Sequence, residues 1–387
     1  MAVVVAVVAI IGTLLLISGH AASPYASISA DKGTLTNGAA IQNDSSASDG
    51  KYVKFGITAS SGKDEGKSRY KLDAASFFDS FGTARNPDGT ATNGPWVKAH
   101  VTLFEGYPSF SDQYVNLYSK PYGIPLIAYR DPAYPVSSVT GLDSSQIQTY
   151  VSWADGLLQK GYVGTFVDDA NWKSGAPPGP PAQLAALMTA MRAKDPNILI
   201  EMNSQYHDIW PIMQNPSDPD YQYVEQALSA VNILCKEFGV GPTAGIGSAS
   251  DYASFMKYVD TLHGRGIHID MTGDYQHKDS PTIEYNLATY FLVNDGSDFV
   301  GGDNPDPTQT AWSPRFDVNL GNATSGRSRS ASGVWSRTFT GGAVYTVEPG
   351  AATQTISLPT PMKDINTGNT MTNVTLSASQ GAVLTTN

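Results

Sequence analysis

From about residue 96 the chain alternates short apolar runs with amphipathic stretches, and this alternation limits the possible folds more than any other feature. The runs VKAHVTLF, GIPLIAY, YVGTFVD, NILIEMN, VNILCKEF, IHIDMT and DFVGG each have the length of a strand. Between them apolar residues recur at helical intervals: Ile147, Tyr150, Val151, Ala154 and Leu158 in one stretch, and Tyr252, Phe255, Met256, Val259 and Leu262 in another. Asp143 stands three residues before Gln146, the spacing of a capping box. The stretch PAQLAALMTAMRAK opens on a proline, which a first helical turn accepts. Such alternation is the pattern of a parallel sheet covered by helices. Seven runs are plain, and KYVKFGI at 51–57 can supply an eighth. No Gly-rich dinucleotide fingerprint follows the first run, so the expected α/β architecture is a closed (β/α)8 TIM barrel over residues 51–315 rather than an open doubly wound sheet. KYVKFG has a second reading, as the closing strand of an N-terminal hairpin, in which case the barrel begins elsewhere.

The flanks differ in character. Residues 316–387 contain SGVWSRTFTGGAVYTVEPG, AATQTISLP and MTNVTLSASQGAVLTTN, short alternating strands broken by Gly, Pro and Asn, which predict a small antiparallel β-domain. Residues 1–22 are an uncharged apolar run with small residues after it, expected to be an export signal or, if it is not cleaved, a membrane anchor. Both options place the rest of the chain outside the cytoplasm, secreted or at the cell surface. Residues 23–50, rich in Ser, Ala, Gly and Asn, read as a linker or hairpin. The segment SADKGTLTNGAAIQNDSSASDGKYVKFG also resembles the opening strands of carbohydrate-binding β-sandwich modules, although only that opening is present.

In a barrel of this kind the site lies where the strands end, so the residues there are the ones to read. They are acidic: Asp168 and Asp169, Glu201 with Asn203, Glu237, Asp270 and Asp274, and Asp303. Tyr129, Trp172, Tyr206 and Tyr275 stand beside them. A net charge of -11 argues against a phosphate-binding surface, which excludes nucleic acid as the expected partner. Carboxyls gathered in a pocket raise one another's proton affinity, so one can stay protonated while another stays ionised. Glycoside hydrolysis uses such a pair, with aromatic rings stacking on the apolar faces of the sugars. The single cysteine, Cys235, lies in an apolar run and is expected to be a small core residue. Lys236 next to Glu237 is read as facing a helix or solvent before it is read as an active-site cation.

The segments GYVGTFVDDANW, EMNSQYHDIWP, CKEFGVG and GVWSRTFTGGAVYTVEPG resemble the hypothetical glycosyl-hydrolase-like TIM-barrel families related to the endo-α-1,4-polygalactosaminidase group, over roughly residues 96–350. The resemblance implies that Asp168 is the fourth-strand carboxylate, with Asp169 kept beside it as an alternative, and that Glu237 ends the sixth strand as the acid/base. It implies a saccharide-binding face that includes the NSQY segment with Asn203 and Tyr206, and a poly- or oligosaccharide substrate; position at the strand ends or in the loops after them adds Glu201, Tyr129, Trp172, Asp270, Asp274 and Tyr275 as candidate substrate contacts, and no metal or organic cofactor is expected.

Three other readings remain open at this point. A metal-dependent polysaccharide deacetylase is suggested by TFVDDAN, although the six histidines show neither HxxxH nor HExxH. A carbohydrate-binding barrel without catalysis, or a structural wall protein, would also carry aromatic residues and carboxylates.

Overall fold

The computed structural model describes residues 40–43, 51–54, 64–73, 93–106, 111–132, 142–170, 172, 181–241, 244–273, 280–302 and 314–386. The chain divides into two units, residues 1–61 and 62–387. In the first unit, Ala40–Asn43 pairs antiparallel with Lys51–Lys54. KYVK is therefore the return strand of a hairpin and not the first barrel strand. The expected export segment at 1–22 lies outside the described residues.

The second unit contains a closed barrel of eight strands: β1 (Tyr70–Asp73), β2 (Leu103–Gly106), β3 (Leu126–Arg130), β4 (Gly164–Val167), β5 (Leu199–Asn203), β6 (Ile233–Cys235), β7 (His268–Gly273) and β8 (Phe299–Gly302). Every neighbouring pair is parallel, and β8 closes on β1. The first strand is thus YKLD, a four-residue segment with a lysine and an aspartate that carries little apolar signal. A second difference lies in VKAHVTLF, whose first half is helical. Pro95 in the first turn sets up α1 (Gly94–His100), and the strand begins only at Leu103.

The helices follow the apolar periodicity. In α2 (Ser144–Lys160), Asp143 and Gln146 form the reciprocal capping box, and Gly161 ends the helix in the left-handed conformation. Then come α3 (Pro181–Lys194), α4 (Tyr206–Met213), α5 (Tyr221–Leu228), α6 (Ala249–Gly264) and α7 (Ser280–Val293). On α6 the five residues Tyr252, Phe255, Met256, Val259 and Leu262 are all buried, as their spacing predicts.

Past the barrel, six antiparallel strands form one sheet: β9 (Ser328–Arg329), β10 (Val334–Phe339), β11 (Gly342–Val347), β12 (Gln354–Asp364), β13 (Thr370–Leu376) and β14 (Gln380–Thr386), in the order β9-β10-β11-β14-β12-β13. The sheet packs on α7 so closely that a Cβ at Gly381 would lie 2.8 Å from Ala288 Cβ. Arg337 of β10 pairs with Glu65 at 3.0 Å and donates to the Phe291 and Asn294 carbonyls at the end of α7, which fastens the sheet to the barrel.

Candidate active site

Successive side chains of a strand alternate faces, so residues two apart climb the barrel interior together. Leu103, Ile127, Leu199, Ile233 and Phe299 form part of an inner apolar cluster. The next inward positions carry charge. Lys71 of β1, almost wholly buried, places Nζ 2.7 Å from Glu105 Oε2, 2.7 Å from Glu201 Oε1 and 3.0 Å from Asp270 Oδ2. Its ammonium also lies 4.5 Å from the centre of the Phe166 ring. Burial alone would strip the lysine of its proton, but Asp270, Glu105 and Glu201 hold its pKa well above the usual value. Burial pushes the Glu201 carboxyl well up, against the pull of Lys71. Burial likewise pushes up the Cys235 thiol, which stays protonated and lies 3.5 Å from Thr272 Oγ1.

One step further along the strands lies the mouth. Asp168 and Glu237 follow Phe166 and Cys235 by two residues and come just after the ends of β4 and β6. Asp168 is held by three donors. The Tyr129 hydroxyl donates to Oδ2 at 2.5 Å, Asn203 Nδ2 donates to Oδ1 at 2.9 Å, and the Asp169 amide donates to Oδ1 at 2.9 Å. The same Asn203 nitrogen donates to Glu237 Oε2 at 3.1 Å. Burial, then the hydrogen bond to Asp168 and its charge, raise the Tyr129 phenol, so it acts as a neutral donor.

The turns that free these carboxyls adopt an uncommon backbone. Asp169 has φ 49° and Phe238 φ 66°, each directly after one of the two acids. Aspartate tolerates the left-handed region, whereas a bulky Phe there costs on the order of 1–3 kcal/mol and persists only where its surroundings enforce it. Part of that enforcement is visible: Gly239 packs on the Asn286 side chain, which accepts from the Val240 amide at 2.9 Å. Asp169 is exposed at the rim, yet partial desolvation of its carboxyl, then the charges of Asp168 and Asp131, push it up to about 6.

The structure thus brings Tyr129, Asp168, Asp169, Asn203 and Glu237 together and removes other expected residues from the mouth. Glu201 and Asp270 are fully buried on Lys71 beneath it, so they do not meet a ligand from solvent. Trp172 is fully buried in the main core, where its large apolar surface is better satisfied than in a loop. Tyr206 packs against Phe255 and Tyr258 and donates weakly to the Asp251 carbonyl, a position in the helical layer. Asp274, Tyr275 and Asp303 lie outside the described residues. Lys236 does not face solvent: it is buried, and its Nζ donates to the Glu237 carbonyl at 2.8 Å. Cys235 is a buried free thiol, as its apolar run suggests.

Sequence reading missed Lys71 and Glu105. Lys71 sits in a short polar strand, and Glu105 stands near the end of an apolar one, where residue type alone does not give its direction. The available signal was the register: Glu105 lies two residues beyond Leu103, on the same face.

Among the described residues, two groups have converging donor atoms. Glu201, Cys235 and Asp270 surround a point, but the cation they meet is the Lys71 ammonium. His263, Asp295 and Asp298 lie at the other end of the barrel, next to the start of β8. There Asp298 bonds His263 at 2.9 Å and the Ile269 amide at 2.8 Å, the arrangement of a structural link. Neither group supplies a metal at the mouth.

No family model matches the sequence, and no curated protein matches it. Among solved structures, the chain is similar to the alpha-amylase from Geobacillus thermoleovorans complexed with acarbose, at 9% identity and TM-score 0.47, covering 84% of this chain and 98% of that one. It is similar to a family 39 glycoside hydrolase from the gut symbiont Bacteroides cellulosilyticus WH2, at 11% identity and TM-score 0.47, covering 84% of this chain and 82% of that one. It is also similar to the glycoside hydrolase domain of PelA from Pseudomonas aeruginosa, at 15% identity and TM-score 0.39, covering 62% of this chain and 96% of that one.

Proposed function

We propose that this chain is a glycoside hydrolase acting on a poly- or oligosaccharide, with Asp168 as nucleophile and Glu237 as acid/base. One observation carries the reading. A single amide nitrogen lies 2.9 Å from Asp168 Oδ1 and 3.1 Å from Glu237 Oε2. Two oxygens sharing that nitrogen are no more than about 6 Å apart, which fits the pairs of about 5–5.5 Å in retaining glycosidases better than the wider inverting pairs that admit a water.

The division of roles follows from the contacts. Asp168 has both oxygens fixed by three donors, which suits a nucleophile whose line of attack must be set before reaction. Glu237, two residues past β6 and just before the strained Phe238, faces it across Asn203. In the first step Glu237 gives its proton to the glycosidic oxygen while Asp168 attacks the anomeric carbon, forming a glycosyl ester and releasing the leaving sugar. In the second, Glu237 takes a proton from water as the water displaces Asp168. Asn203, bonded to both carboxyls, keeps them in register through both steps. Export, expected from the apolar run at residues 1–22, would bring such an enzyme to extracellular glycans.

The test is a panel of galactosaminoglycans, galactans and wall polysaccharides, screened for new reducing ends with Glu237→Gln and Asp168→Ala as controls. Proton NMR of the first anomer released reads the stereochemistry. Release by the unmutated protein alone, insensitive to chelator and with the configuration retained, is the expected result. Glycan binding with no release from any substrate would make the chain a binding protein instead, and release abolished by chelator would favour a metal-dependent enzyme.

A further inference from the structure

A lysine at the centre of a barrel is costly. Transfer of an ammonium group from water is offset only by partners of opposite charge and good geometry, and a well-packed apolar side chain is often as stable in its place. Lys71 has three carboxylate partners within 3.0 Å, more than one cation needs. This group occupies the layer directly beneath the candidate pair. The Phe166 ring, 4.5 Å from Lys71 Nζ, belongs to the residue two before Asp168, and a two-residue step along a strand is about 6.6 Å. Asp270 and Cys235, both facing Lys71, stand in the same relation to Thr272 and Glu237.

We propose that Lys71 is a positioning residue of the site, an electrostatic floor whose positive charge offsets the negative charge held on the Glu105, Glu201 and Asp270 carboxyls and so keeps that charge from acting on Asp168 and Glu237 above it. The inference rests on the reading of that pair as the reacting acids. Without the cation, the pair would face buried negative charge from below and the carboxyls of Asp169 and Asp131 at the rim. Like charge from both sides favours protonation of both acids, which would leave no nucleophile. Lys236, directly after β6, is a second buried cation, and its ammonium donates to the Glu237 carbonyl at 2.8 Å.

The sign of the effect distinguishes this role from packing. Across a separation on the order of 10 Å at an effective dielectric near 20, one unit charge shifts a titration by about one pH unit. Carbon-13 carboxyl NMR, with labelled Asp and Glu assigned through Asp168→Asn and Glu237→Gln, should show both groups titrating about one unit higher in Lys71→Met. In Glu105→Gln, which keeps the lysine and removes one negative charge, both should titrate lower, and the double variant should return towards the unmutated values. On a substrate that is cut, the acid limb of the kcat/KM profile should move in step. If Lys71→Met does not fold, Glu105→Gln still decides the question. Unchanged midpoints, or an upward movement in Glu105→Gln, would overturn the proposal. Because the NMR readout needs no turnover, failure of the glycosidase reading would appear separately, as correct shifts in a protein that cuts nothing.

Discussion

Asn203 Nδ2 lies 2.9 Å from Asp168 Oδ1 and 3.1 Å from Glu237 Oε2, so one amide on β5 joins the acids that lie just past β4 and β6. Removing it should affect chemistry more than folding. Hydrogen bonds to charged groups contribute about 1.5–3 kcal/mol, and Asn203→Ala should lower kcat by about 10- to 100-fold with little change in KM. Steady-state kinetics on the substrate found by the glycan screen, beside a thermal melt, would check this. A loss confined to KM would assign Asn203 to sugar binding instead.

Tyr129 donates to the other oxygen of Asp168 at 2.5 Å, and its ring stacks on Phe166 at 5.9 Å between centres. Tyr129→Phe keeps the stacking and loses only the hydroxyl. The expected result is a fall in kcat/KM of about 10-fold or more, with thermal stability nearly unchanged. Unaltered kinetics would show that Asn203 and the Asp169 amide hold Asp168 unaided.

Asp169 holds its proton up to about 6 because of desolvation and the charges of Asp168 and Asp131. Below that pH it is neutral, and above it adds a second negative charge beside Asp168. A kcat/KM profile measured from pH 4 to 8 should therefore contain an inflection near 6 that disappears in Asp169→Asn. Persistence of the inflection in the variant would assign it to another group.

Glu284 on α7 is almost fully buried, accepts from the Val383 amide at 3.3 Å, and is pushed up to about 7 by burial and then by Asp364. A carboxyl that binds its proton more tightly folded than unfolded stabilises the native state fully below its unfolded value of 4.5 and loses that contribution as pH rises through about 7. Melting between pH 4.5 and 8 should show this decline, and Glu284→Gln should flatten it by about 1–3 kcal/mol after allowance for solvent screening. A decline of the same size in both proteins would place its origin elsewhere.

Much of the architecture was legible in the chain because burial is periodic. Apolar residues on α6 and the capping box of α2 lie where their spacing puts them. The first strand was not legible: Tyr70–Asp73 is short and polar, and its lysine is acceptable only because carboxylates from three other strands reach it. Trp172 illustrates the converse, since its position after a strand end suggests exposure while the fold buries it. Strand alternation separated inward from outward residues, but it did not give the depth at which each would sit.

By itself the sequence determined that parallel strands would alternate with helices and that acids would collect at the strand ends, because both follow from local periodicity and from chain order. Only the tertiary structure decided which acids share a proton-accessible mouth and which are neutralised below it. Depth within a barrel is set by the register between strands distant in sequence, and at this site a step of two residues separates Asp168 and Asn203 from the layer that holds Glu201 and Lys71.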